Sequence, residues 1–188
     1  MNLSERIIDI VHRWRSSSPR RRWPVSLVVM LCFVVGNIAL VWSALWIDRR
    51  LGIRVTGFEE LRYALGWPIC VMGSLLMLWI VFLFFRQRGT PVPLNPPKSL
   101  ITSGPYRVTR NPMISGWFIG SFGLAIVLGS IVQFFVVTPL LMLPFILFVI
   151  KVEEPELEKR FGQEYLNYKN SVPRFFPRLR PRRTESSS

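Results

Sequence analysis

"NPMISGWFIGSFGLAIVLGSIVQFFVVTPLLMLPFILFVI", residues 111–150, runs for forty positions without a charge. About 20 apolar residues carry a helix across the roughly 30 Å hydrocarbon core of a bilayer. The run is thus about two crossings long, and it is interrupted by "LGSIVQ" at 128–133, where Gly129 and Ser130 can turn the chain. A tight hairpin of two short helices is predicted, over about 112–128 and 131–150. Two more uncharged runs, 24–47 and 63–85, each suffice for one crossing, the second span being set at about 64–85. The fold class that follows is all-α: an integral membrane bundle of about four transmembrane helices. The first run is too long for the apolar core of a cleaved signal peptide, about 7–15 residues.

The chain has 188 residues and a formal net charge of +13. Such basicity invites a nucleic-acid reading until its placement is considered. With four spans, the segments 1–22, 86–110 and 151–188 share one side and hold six, five and nine Lys/Arg. The opposite side holds four, all in the 48–62 loop. Twenty against four puts both termini in the cytoplasm by the positive-inside rule. The charge is then a topology signal with attraction to anionic lipid, and no nucleic-acid partner is expected. The expected location is a bacterial inner membrane, with the lipid bilayer as partner. Cys32 and Cys70 lie inside separate apolar runs, and His12 is the sole histidine, so neither a disulfide framework nor a metal site is expected.

Outside the spans, "LSERIIDIVHRW" at 3–14 puts Leu3, Ile7, Ile10, Val11 and Trp14 on one helical face, as in a helix lying on the membrane surface. It belongs to a basic amphipathic segment, 1–22, that precedes a membrane domain over 23–178. The loop "DRRLGIRVTGFEELR" is short, mixed in charge and suited to capping the bundle. Five prolines between 91 and 105 forbid a regular helix there and make either a wall of a site or a spacer. After the last span, Leu157, Phe161, Tyr165, Tyr168 and Val172 recur at helical spacing. A cytoplasmic amphipathic helix is predicted over about 155–171, starting at Pro155, where a missing N–H costs nothing, and ended by Pro173. Residues 179–188 read as a disordered tail.

No span carries an ionisable residue in its interior, which argues against a proton relay or charged ion pathway. Ionisable groups gather instead where the hairpin begins and ends: Arg107 and Arg110 before it, Glu153 and Glu154 after it. A hairpin brings its ends together, so these groups converge at one depth. Singly, the arginines read as headgroup anchors, and the glutamates as favourable charges at a helix N-terminus. Together with tyrosine and asparagine they can bind a zwitterion, arginine on its carboxylate and glutamate on its ammonium.

"GPYRVTRNPMISGW" at 104–117, followed by "EEPELEKRFGQEYLNYKNSVPRFFP" at 153–177, resembles the membrane methyltransferases related to isoprenylcysteine carboxyl methyltransferase. The resemblance covers roughly residues 90–178, and its specificity lies in the combination. "NPM" with "EEP" is similar also to phosphatidylethanolamine N-methyltransferase. Two positions depart from these patterns: Asn111 stands where the first family has His, and Leu75 where the second has the later Gly of a Gly-x-Gly whose first member matches Gly73. The resemblance implies S-adenosylmethionine as cofactor, with Tyr106, Arg107, Asn111 and Pro112 lining its site beside Glu153 and Glu154. Gly116 would allow close approach of the ligand or of a neighbouring helix, and Tyr165 would close the cytoplasmic side. Arg110 could instead orient a substrate's anionic group. The catalytic set implied is Arg107, Arg110 and Glu154.

The function expected is S-adenosylmethionine-dependent methyl transfer to a lipophilic acceptor, whether carboxylate, thiol or amine. Two alternatives stand beside it: an NADPH-dependent membrane sterol or enone reductase, whose family shares an Arg-His-Pro element, and a non-catalytic lipid-binding scaffold. The scaffold would have no need of glutamates near Arg107.

Overall fold

The structure, a computed structural model, describes residues 19–86 and 99–175, with side chains from residue 24 onward. The expected surface helix at 3–14, the prolines from 91 to 97 and the tail from 179 lie outside the described residues. Helix α1 spans Pro19–Leu51, α2 Glu59–Arg86, α3 Pro112–Leu128 and α4 Gln133–Phe161; a short α5, Gln163–Ser171, follows. Among the described residues there is no strand. The chain is an integral membrane helical bundle in which α1, α2 and α4 are long and apolar enough to cross a bilayer. At 17 residues α3 is shorter; a rise of 1.5 Å per residue makes it about 26 Å long.

The bundle's outward faces are apolar. Leu27, Leu31, Val35, Ile38 and Trp42 of α1 are exposed, as are Leu75, Leu78 and Phe82 of α2. Lipid is the solvent for such faces, and burial of backbone polar groups inside helices is what that solvent demands. Hydrocarbon offers no hydrophobic drive between helices, so association depends on close packing. The α2–α3 crossing supplies it through glycines. A Cβ on Gly73 would lie 2.3 Å from the Gly120 nitrogen, and one on Gly123 would lie 2.4 Å from the Cys70 nitrogen. The two backbones are therefore in contact.

At one end of the bundle the hairpin turns on Gly129, whose φ of 62° is open to glycine at little cost. Gly129 N–H donates to the Ile126 carbonyl and Ser130 N–H to the Ala125 carbonyl, each at 3.0 Å, the paired bonds of a Schellman C-cap. The 48–62 loop closes over this turn. The Arg54 guanidinium donates to the Leu128 carbonyl, and Val55 N–H to the Gly129 carbonyl at 3.1 Å. Asp48, fully buried at the end of α1, accepts from the Ser130 hydroxyl and, at 3.0 Å, from Val132 N–H. It thus caps α4 from a neighbouring helix. Asp48→Ala should cost about 1–3 kcal/mol by stranding those donors, read as a lower midpoint of thermal unfolding in detergent. Asp48→Asn, which keeps one acceptor oxygen, should recover part of the loss.

Helix α4 differs from the expected arrangement. No fresh helix begins at Pro155; the last span continues through it to Phe161. A π turn, Val149–Glu153, stands directly upstream. That is where a proline ring would otherwise strike the carbonyl four residues back. The expected single helix to Pro173 is also broken, at Gly162, whose φ of 54° and ψ of −127° separate α4 from α5. The chain can therefore double back over the end of the bundle opposite the hairpin turn.

Candidate active site

At that end, three chain segments meet on one carboxylate. Glu154 is 3% exposed and sits just past the π turn of α4. The Arg174 guanidinium reaches it with both arms, Nε to Oε1 and Nη2 to Oε2, each at 2.8 Å. A planar fork on a carboxylate is the strongest form of such a pair. Arg110, just before α3, brings Nη1 to 3.0 Å from Glu154 Oε1. The distance makes an ion pair, but the alignment does not make a hydrogen bond: Arg110 Nε and Nη1 are both buried without an acceptor. The side chain that carries these unspent donors is only 9% exposed.

Three tyrosines surround the cluster. Tyr165 of α5 is 1% exposed, close to Glu154 and Arg110, and its ring is 6.2 Å from that of Tyr168. Burial, with Glu154 adding to it, pushes the Tyr165 hydroxyl up to about 12. Burial raises Tyr106 and Tyr168 as well, helped by Glu153 at Tyr106 and by Tyr165 at Tyr168. All three stay protonated and can donate at neutral pH. The Tyr168 hydroxyl donates to the Tyr106 carbonyl at 2.7 Å, which ties α5 to the turn at Gly104–Arg107.

Beyond α5, residues 172–175 form a bent strap along 109–115. Arg110 N–H donates to the Pro173 carbonyl at 2.8 Å. Three donors converge on the Arg174 carbonyl: Thr109 Oγ1 at 2.8 Å, Asn111 N at 3.1 Å and Asn111 Nδ2 at 3.2 Å. The Ser115 hydroxyl reaches the Phe175 carbonyl at 3.3 Å. Along it, Arg174 turns to the carboxylate while Phe175 lines an apolar cavity of about 520 Å³. Leu76 and Trp79 of α2, Phe118 and Ile119 of α3 and Met142 of α4 line that cavity, with Thr109 and Ser115 at its polar border.

The structure thus joins Arg110, Glu154 and Tyr165, with Glu153 near enough to act on Tyr106 and Tyr165. Pro112 is buried at the start of α3 and lines the cavity. Asn111 spends its side chain on the strap. Gly116 lies in the α2–α3 seam, where an added Cβ would be 3.2 Å from the Gly73 carbonyl oxygen. Of its two expected uses, close approach of a helix is the one observed. Arg107 is exposed, and among the described residues no hydrogen bond or ion pair joins it to the cluster. Sequence reasoning missed Arg174 and the strap. The sole signal was a charged residue directly after Pro173 in the closing segment.

The phospholipid methyltransferase family model matches residues 61–164, more than half of the chain. Methanethiol S-methyltransferase of Crocosphaera subtropica is 28% identical over 161 residues, 77% of this chain and 59% of that protein. The nickel-cobalt-cadmium resistance protein NccN of Alcaligenes xylosoxydans is 27% identical over 163 residues, 85% of this chain and 64% of that protein. The cobalt-zinc-cadmium resistance protein CzcN of Cupriavidus metallidurans is 37% identical over 92 residues, 47% and 40% of the two chains. The chain spans less than two thirds of the length of each of these relatives. Among the described residues, no group of three or more His, Cys, Asp or Glu is placed to hold a metal ion.

Proposed function

The chain belongs to the phospholipid methyltransferase family, and from that premise we propose that it transfers a methyl group from S-adenosylmethionine to a lipophilic acceptor at the cytoplasmic membrane face. The observation that carries this reading is a polar, charge-bearing cluster separated from an apolar cavity by one strap of chain. A polar cofactor and a lipophilic acceptor need adjoining compartments of those two kinds.

The residues fit the cofactor's amino-acid end. Arg110 holds buried donors without acceptors, which suit a carboxylate, and Glu154 and Glu153 suit an ammonium. Tyr165 is a neutral donor beside both. S-adenosylmethionine supplies a methyl group activated on a sulfonium. The protein's part is to hold the acceptor in line and to exclude water; good alignment alone is worth up to about 7–11 kcal/mol. An apolar chamber seats the acceptor's tail, leaving its reactive carboxylate, thiol or amine at the border formed by Thr109 and Ser115. One of the relatives is named for methyl transfer to methanethiol, a small apolar thiol, and this supports trying a thiol among the first acceptors.

Titration calorimetry of the detergent-purified protein tests the cofactor. S-adenosylhomocysteine should bind and NADPH should not. Binding of NADPH alone would favour a reductase, and binding of neither would leave a lipid-binding scaffold. Transfer of labelled methyl into a lipid extract, or onto an alkyl thiol, then tests the acceptor.

A further inference from the structure

Glu154 has two partners of different character. The Arg110 side chain is 9% exposed and its backbone N–H is tied to the Pro173 carbonyl, whereas the Arg174 side chain is 34% exposed and stands on a strap. If Arg174 leaves, water can take its guanidinium at once. Arg110 has no such exit, and removing it from Glu154 would leave two buried charges facing each other across a gap. Arg174 is therefore the exchangeable partner. Yet it is Arg174 that takes both carboxylate oxygens, while Arg110 leaves Nε and Nη1 without acceptors. An ammonium seeking Glu154 meets a carboxylate already covered by a cation of this chain.

We propose that Arg174 is an autoinhibitory latch: its guanidinium occupies the carboxylate of Glu154 that the ammonium of an amino-acid-bearing ligand must take, and ligand binding displaces it. The proposal rests on the cofactor reading given above and adds an internal competitor to it. The strap need not unzip for the exchange. Its hydrogen bonds to 109–115 run through the carbonyls of Pro173, Arg174 and Phe175, so the arginine side chain can swing out while the backbone stays paired. The latch keeps a buried carboxylate neutralised whenever no ligand is present.

Two probes separate competition from scaffolding: S-adenosylhomocysteine, which carries the amino-acid end, and 5′-methylthioadenosine, which lacks it. Both are titrated into full-length protein in detergent. Arg174→Ala should bind S-adenosylhomocysteine at least fivefold more tightly than the unsubstituted chain, with 5′-methylthioadenosine unchanged. Arg174→Lys, a point charge without the fork, should move the same ratio by less and serves as the test if the alanine variant does not fold. An unchanged ratio, or equal weakening of both ligands, overturns the latch and makes Arg174 a structural tie. If the unsubstituted chain binds neither probe, the cofactor reading falls and the latch with it.

Discussion

Glutamine in place of Glu154 should abolish measurable binding of S-adenosylhomocysteine and lower the thermal midpoint by several degrees. Two guanidiniums share this carboxylate, and glutamine would leave both without their countercharge. Breaking a buried pair by removing one partner costs about 3–5 kcal/mol. Arg174 is a third exposed and recovers part of its solvation, so the lower end, about 3 kcal/mol, is expected. The loss should be less than additive with Arg174→Met, because the second substitution removes one of the stranded cations. That coupling separates an electrostatic role from mere loss of packing. A Glu154→Gln protein that kept both its midpoint and its ligand affinity would remove Glu154 from the site altogether.

How far the sequence led depends on the kind of information each feature needs. Uncharged runs give the helices because lipid imposes a length and a polarity that composition displays directly. A hairpin must return, so the meeting of arginine and glutamate near its two ends was legible without coordinates. The choice between Arg107 and Arg110 was not. They stand three residues apart around a turn at Gly104–Arg107, and only backbone dihedrals decide that Arg107 faces outward while Arg110 faces Glu154. Arg174 was harder still. It reaches Glu154 because Gly162 reverses the chain, and "FGQEY" read by periodicity alone continues one helix. Asp48 at the far end was hidden likewise: it lies at the edge of an apolar run and resembles an interfacial charge until Ser130 and Val132 are found on it.

The glycine seam yields the second large effect, because it carries the bundle and the cavity together. Gly73→Ala adds one methyl group to a helix, which by propensity alone should stabilise it by about 1 kcal/mol. Gly36→Ala, with nothing within 4 Å of the added Cβ, should show that gain or no change. At Gly73 the new Cβ meets the Gly120 nitrogen at 2.3 Å and the Gly116 carbonyl oxygen at 2.6 Å. Both are backbone atoms of α3, so no rotamer change relieves the clash and the helices must part. Overpacking of this kind costs about 1–3 kcal/mol or more, and lipid gives no hydrophobic compensation for a widened seam. Parting α2 from α3 also separates Leu76 and Trp79 from Phe118 and Ile119 across the cavity. Gly73→Ala should therefore lower the yield of monodisperse protein and its thermal midpoint, and Gly73→Leu should give none that survives extraction. If Gly73→Ala and Gly36→Ala behaved alike, the two helices would not touch through their backbones. The cavity would then not depend on α2 being held against α3.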